Sequence, residues 1–184
     1  MSSFLNENLK VGDVLEIMPP TGNFIINNLK GNRVAFAAGS GITPIISMAK
    51  SVLNAGGTFT LFYGNKTAND VIFKAELNKL QLQYPKNFNL TYIYSREKSE
   101  NPILNGRIDK EKCQLLINEH LHLLKSDGFY MCGPEEMINN VKEVLKEFGV
   151  AKNKIHFELF TSTTIKKEVN TELSGSSKIT IVLD

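Results

Sequence analysis

The stretch RVAFAAGSGITPIISMAKSVLNAGGTFTLFYG, residues 33–64, decides the fold class. RVAFAAG (33–39) is a short, mostly apolar run of the kind that forms a strand covered on both faces. TPIISMAKSVLNAGG (43–57) then changes period. Ile45, Ile46, Ala49, Val52 and Leu53 recur on one helical face, and Gly56-Gly57 is a stop signal. TFTLFYG (58–64) returns to β-branched and aromatic residues. Strand, helix and strand in so short a span make a crossover unit, whose two strands lie parallel.

The alternation continues outward. DVIFKAELNKLQLQYP (70–85) reads as a helix capped by Asp70, with Ile72, Phe73, Leu77 and Leu80 in a stripe and Pro85 just beyond. FNLTYIYS (88–95) alternates like a strand, DKEKCQLLINEHL (109–121) is helical, and GFYMCG (128–133) is a strand. PEEMINNVKEVLKEFG (134–149) is a helix with Pro at its first turn and Gly at its end, and KIHFELF (154–160) is a last strand. The pattern predicts an α/β fold, a doubly wound parallel sheet with helices on both faces.

The two ends do not belong to this unit. GDVLEIMPPTGNF (12–24) reads as a strand followed by a turn, TSTTIKKEVNTELSGSS (161–177) as a polar linker, and KITIVLD (178–184) as a fresh strand. A lone strand cannot bury its faces. The expected organisation is a remnant of a neighbouring domain over 1–28, a nucleotide-binding domain over 29–160, the linker, and the opening strand of a third domain over 178–184. The end strands keep unpaired edges, and such edges invite self-association.

Composition narrows the function classes. The chain has 184 residues, 42% hydrophobic and 22% charged, enough for one core in an ordinary water-exposed surface. A net charge of +2 with scattered lysines argues against nucleic acid or an anionic membrane as partner. No apolar run approaches the ~18 residues of a membrane span, and the N-terminus has no apolar signal core. Two cysteines, Cys113 and Cys132, exclude a disulfide framework or a four-cysteine cluster within the chain, and a reducing, cytoplasmic setting fits. His120, His122 and His156 lack ligand spacing, so no metal site is expected.

Four motifs fall where strands end. In AAGSGITP (37–44), Gly39, Ser40 and Gly41 open a helix, where glycines and free N–H groups suit a phosphate; a plain tight turn is the alternative. Ser95 and Arg96 in IYSREK (93–98) follow the third strand, at the sheet edge where open α/β folds bind ligands; a solvated arginine is the alternative. MCGP (131–134) ends a strand on Cys132, a thiol that would point into the same crevice and could lie flat against a ring; the alternative is an inert buried cysteine. Glu158 sits among apolar residues in HFELF (156–160), suited to proton management or simply exposed on an edge strand. Cys113, mid-helix among Leu115, Leu116 and Ile117, reads as packing, and Met131 and Met137 are most simply core.

The order GSGITP, FYGNK (62–66), YSRE (94–97), MCGPEEM (131–137) and FELF (157–160) resembles the pyridine-nucleotide half of the ferredoxin–NADP reductase superfamily. VGDVLEIMPPTGNF (11–24) is similar to the last strand of that family's flavin-binding barrel, and SSKITIVLD (176–184) to the first strand of a plant-type [2Fe–2S] domain. The likeness is greatest to reductase components of bacterial oxygenases of the phenylacetyl-CoA type. It implies a fold that takes hydride from NADPH, or NADH, onto FAD and passes electrons through a [2Fe–2S] centre to an oxygenase component. It also implies roles. Gly39, Ser40, Gly41, Ile42, Thr43 and Pro44 would hold the pyrophosphate and nicotinamide side, and Ser95 and Arg96 the 2′-phosphate, with Lys66 and Arg107 as further cations. Cys132, with Gly133, Pro134 and Met137, would lie beside the nicotinamide, and Glu158 and Phe160 beside the flavin. The flavin motif and cluster cysteines of that family are absent from this chain, so FAD and [2Fe–2S] are expected only in a longer parent, with the chain alone inactive. An NADH-specific flavohaemoglobin-like or cytochrome b5 reductase-like module, and a non-catalytic nucleotide sensor, are the alternatives.

Overall fold

The computed structural model describes residues 2–16 and 21–160. After a short helix α1 (Ser2–Asn8), strand and helix alternate: β1 (Asn32–Ala38), α2 (Ile42–Asn54), β2 (Thr58–Asn65), α3 (Lys74–Gln83), β3 (Phe88–Tyr94), α4 (Lys110–Glu119), β4 (Gly128–Gly133), α5 (Glu135–Glu147) and β5 (Ile155–Leu159). All four pairings are parallel and the strand order is β3-β2-β1-β4-β5. This is the doubly wound arrangement expected from the alternation. Right-handed crossovers account for it: going leftward from β1 puts α2 and α3 on one face, and returning rightward to β4 puts α4 and α5 on the other.

Each face has its own core. Val34, Phe36, Phe129 and Met131 point toward α4 and α5; Ala35, Ala37, Tyr130 and Cys132 point toward α2 and α3. Phe36 and Phe62 stack at 5.0 Å between centroids with both rings buried. Each such side chain contributes about 1.5–3 kcal/mol by leaving water. Cys113 is buried in the first core, as its position among leucines implies.

Two expectations need correction. The helix foreseen over 70–85 begins at Lys74, and Asp70 does not cap it. Residues Ala68–Asp70 form a separate turn, Asp70 accepts the Thr67 hydroxyl at 2.6 Å, and Phe73 takes a left-handed conformation at φ 59°. Tertiary bonds hold this loop open: the Ala68 amide donates to Glu97 at 3.0 Å, and the Ala68 carbonyl accepts from Lys74 Nζ at 3.0 Å. Ile72 and Phe73 are left exposed, and only Leu77 and Leu80 of the expected stripe are buried. The strand expected to open the 12–24 segment is not formed over residues 12–16, where Val14 is fully in solvent; no described strand lies beside it to complete a ladder. Residues 17–20, the expected linker and the 178–184 strand, with the self-association foreseen for it, lie outside the described residues.

The foot of the sheet carries a buried cation. Arg33, only 5% exposed, donates to the carbonyls of Asn28 and Asn32 and meets Asp127 Oδ2 at 3.2 Å, and the same oxygen accepts the Asn32 amide at 2.8 Å. The Asn32 amide first, and then the Arg33 guanidinium, hold the Asp127 carboxyl below its usual range. A depressed carboxylate contributes stability above its unfolded pKa, 3.8, that is lost as pH falls through the folded value. Asp127 is more than half exposed, so solvent screening limits the effect to about 1 kcal/mol or less. Urea midpoints at pH 7 and pH 3 should differ less in Asp127→Asn than in the unaltered chain; equal differences would remove the linkage.

Candidate functional site

The strands end level with one another. Ala38 pairs with Gly64, Asn65 with Tyr94, Ala37 with Cys132, and Cys132 with Glu158. Outside these carboxyl ends lies a cleft of about 830 Å³, opening at the place where β1 and β4 send their chains in opposite directions. Open α/β sheets hold ligands at such a switch point, and the volume is that of a small-molecule site.

One end of the cleft is cationic. Lys66 follows β2, Ser95 and Arg96 follow β3, and Arg107 comes from the loop before α4. The β2–β3 ladder runs on past the strands, with Ser95 N–H donating to the Asn65 carbonyl and Arg96 N–H to the Lys66 carbonyl, both at 2.9 Å. That backbone pairing, not a side-chain contact, sets where Arg96 stands. Three carboxylates share the wall: Asp70, Asp109 and Glu136. Two are already engaged, Asp70 by Thr67 and Asp109 by the Lys112 amide at 2.8 Å, where it caps α4. Glu97, adjacent to Arg96, is turned to the Ala68 amide.

The other end is the β1–α2 and β4–α5 turns. Gly39 has φ 53°, and nothing lies within 4 Å of where its side chain would be, so its backbone is open to a ligand. Its carbonyl accepts the Tyr63 hydroxyl at 3.0 Å; burial pushes that phenol up to about 12, keeping it a neutral donor. Ser40 also lines the cleft, as do Gly133, Pro134, Met137 and Phe160.

Other expected site residues stand elsewhere. Gly41 is buried, and a side chain there would meet the Cys132 carbonyl oxygen at 2.0 Å; it lets α2 pack on β4. Ile42 is in the core, Pro44 is half-buried, and Thr43 donates to the Ser40 carbonyl at 3.1 Å, bracing its own turn. Cys132 is fully buried in the α2-side core and does not reach the cleft wall, because strand alternation sends it the same way as Tyr130. Burial first, and then Glu158, push its thiol up to about 11. Glu158 is half-buried on β5, in register with it.

Several cleft residues escaped the sequence reading, Asp109, Glu136 and Asn65 among them. Asn65 ends β2, is 8% exposed, and its buried Oδ1 has no hydrogen-bond partner. Its position at a strand end was the available signal, but an asparagine beside Gly64 reads as a turn former. Among the described residues, no group of three or more His, Cys, Asp or Glu could hold a metal ion, and no helix is long and apolar enough to cross a membrane.

Residues 36–143 match the family described as the oxidoreductase NAD-binding domain. The chain belongs to that family. It is 34% identical over 190 residues to a component of the 1,2-phenylacetyl-CoA epoxidase of Escherichia coli K12, covering 100% of this chain and 53% of that protein. It is 33% identical over 162 residues to the ferredoxin reductase component of 3-ketosteroid-9-alpha-monooxygenase from Rhodococcus rhodochrous, covering 88% of this chain and 43% of that protein. The chain thus spans about half the length of these curated relatives. Among solved structures it is similar to the Flavohem-like FAD/NAD-binding domain of nitric oxide dioxygenase from Vibrio cholerae O1 biovar El Tor, with TM-score 0.72, 26% identity, and coverage of 86% of this chain and 63% of that one. The resemblance to a ferredoxin-reductase-like nucleotide domain therefore holds, and so does the α/β fold that it implied.

Proposed function

We propose that this domain binds NADPH across the cleft and presents its nicotinamide to an FAD, within an oxygenase reductase that passes the electrons through a [2Fe–2S] centre. The observation that carries the reading is the polarity of the cleft: Lys66, Arg96 and Arg107 gather at one end, and an open glycine backbone lies at the other. A dinucleotide has the same polarity, a phosphorylated adenosine at one end and a flat, weakly polar ring at the other. The residues present fit such a ligand on the structure's own terms, since the cleft already holds an unpartnered acceptor and unpaired cations among the described residues. The flavin, when bound, supplies the hydride acceptor.

In this reading Arg96 and Ser95 take the 2′-phosphate, with Lys66 and Arg107 adding charge across the cleft. Gly39 and Ser40 approach the pyrophosphate. Gly133 and Pro134 turn the chain away from the ring, Met137 backs it, and exposed Phe160 borders the flavin. Cys132 and Glu158 lie side by side at the ends of β4 and β5. The thiol stays neutral at pH 7 and buried, so it is no nucleophile; it acts as a positioning residue, packed beneath the Gly133-Pro134 turn against which the nicotinamide would lie. Glu158, half-buried near the end of β5, would stand on the flavin side of the site. The carboxylates on the wall favour a second reading, an NADH-specific module, because NAD-binding domains read ribose hydroxyls with a carboxylate.

Stopped-flow reduction of the flavin-bearing protein tests the proposal. NADPH should reduce the flavin faster than NADH at matched subsaturating concentrations. Cys132→Ser should slow flavin reduction at least about tenfold, as loss of a positioning contact does, with NADP⁺ affinity unchanged. A wild-type rate in that variant would defeat the thiol's role, and faster reduction by NADH would favour the second reading.

A further inference from the structure

The geometry points to Asn65 as the residue that reads the 3′-hydroxyl of the adenosine ribose, an inference that rests on nucleotide binding in this cleft. Asn65 is the last residue of β2 and lines the cleft. Its side chain is more than nine-tenths buried. The amide Nδ2 donates to the Tyr63 carbonyl at 3.4 Å, which turns the nitrogen back along the strand and leaves Oδ1 as an acceptor without a partner. A buried acceptor without a donor costs free energy, and folded proteins rarely keep one unless something else supplies the hydrogen.

The position says which donor. The Asn65 carbonyl is bonded to the Ser95 amide, so the side chain stands one residue from Arg96 and from the site assigned to the 2′-phosphate. The ribose carbon next to the phosphorylated one bears the 3′-hydroxyl. In NADP(H) the 2′-oxygen is esterified and has no proton to give, so the 3′-hydroxyl is the ribose donor that remains. Doubly wound domains hold the adenosine ribose at the end of the second strand, and NAD-specific ones use a carboxylate there. An asparagine supplies the same acceptor without a charge that would repel a 2′-phosphate. Asn65 thus binds the sugar in either nucleotide, and Arg96 supplies the preference between them.

The test uses the full chain and amide NMR titration. The probes are 5′-AMP, 3′-deoxyadenosine 5′-monophosphate and adenosine 2′,5′-bisphosphate. The intact chain should bind AMP about five- to tenfold more tightly than its 3′-deoxy analogue, the worth of one neutral hydrogen bond to a buried acceptor. Asn65→Leu should erase that difference. Asn65→Asp keeps the acceptor, so it should keep the difference and weaken the bisphosphate about tenfold relative to AMP. Equal binding of AMP and the 3′-deoxy analogue by the intact chain, or a surviving preference in Asn65→Leu, overturns the assignment while leaving bisphosphate binding in place. Failure of the bisphosphate to bind the intact chain overturns the nucleotide reading and this inference with it.

Discussion

Replacing Arg96 by alanine is expected to weaken NADP⁺ binding about ten- to a hundredfold and to leave NAD⁺ affinity almost unchanged. A hydrogen bond between charged groups contributes roughly 1.5–3 kcal/mol, which converts to that range. The guanidinium can meet two phosphate oxygens at once, and the 2′-phosphate offers them only in NADP⁺. Arg96 lines the cleft and makes no ion pair among the described residues, so its charge is not consumed in the free protein. Glu97, the carboxylate nearest in sequence, is held by the Ala68 amide. Preference for NADP⁺ should still be moderate, because Asp70, Asp109 and Glu136 equal the three cations of the cleft in number. Calorimetric titration of both proteins with both nucleotides decides the matter. Equal losses for NADP⁺ and NAD⁺, or tighter NAD⁺ binding by the intact chain, would remove the role given to Arg96.

Gly41→Ala should cost about 3 kcal/mol or more and lower the melting temperature by roughly 10 °C in a chain of this size. Gly41 has φ −60°, an ordinary helical value, so alanine would be at ease in the backbone itself. The cost is contact: the added carbon would sit 2.0 Å from the Cys132 carbonyl oxygen and 2.8 Å from the Gly133 amide, both backbone atoms of a central strand. Neither can swing aside as a flexible side chain would. Gly39→Ala is the informative comparison. Its φ of 53° makes alanine uncomfortable by roughly 1–2 kcal/mol, but no atom lies within 4 Å of the new carbon. Gly41→Ala should therefore damage folding, and Gly39→Ala chiefly nucleotide affinity. Matching melting curves for Gly41→Ala and the unaltered chain would show that α2 does not pack on β4 as closely as described.

The two glycines show how far a motif can be read in one dimension. Gly39, Ser40 and Gly41 form one candidate phosphate turn in sequence, yet only the first two face the cleft. The third belongs to the interface between a helix and a strand more than ninety residues away, and spacing carries no information about that. Ser95 and Arg96 were legible because a strand's last residues must emerge at one edge of a parallel sheet. Cys132 obeyed the same rule in position but not in direction. Side chains alternate between faces, and whether the last one meets ligand or helix depends on what packs above it.

Sequence alone determined the strand and helix succession from residue 32 to 159, since the change of hydrophobic period from two to 3.6 is a local property of the chain. Parallel pairing and the doubly wound order followed, because crossovers have one hand. Tertiary structure decided what depends on residues far apart. It delayed α3 to Lys74 through the bonds of Glu97 and Lys74 to Ala68, overriding a helical stripe that local periodicity favoured. It brought Lys66 from the β2–α3 loop and Arg96 and Arg107 from the two ends of the β3–α4 loop to one wall, and it left Asn65 with an acceptor that no protein group fills. Periodicity is set by neighbours along the chain, whereas a cleft's charge and its unmet hydrogen bonds are set by neighbours across it.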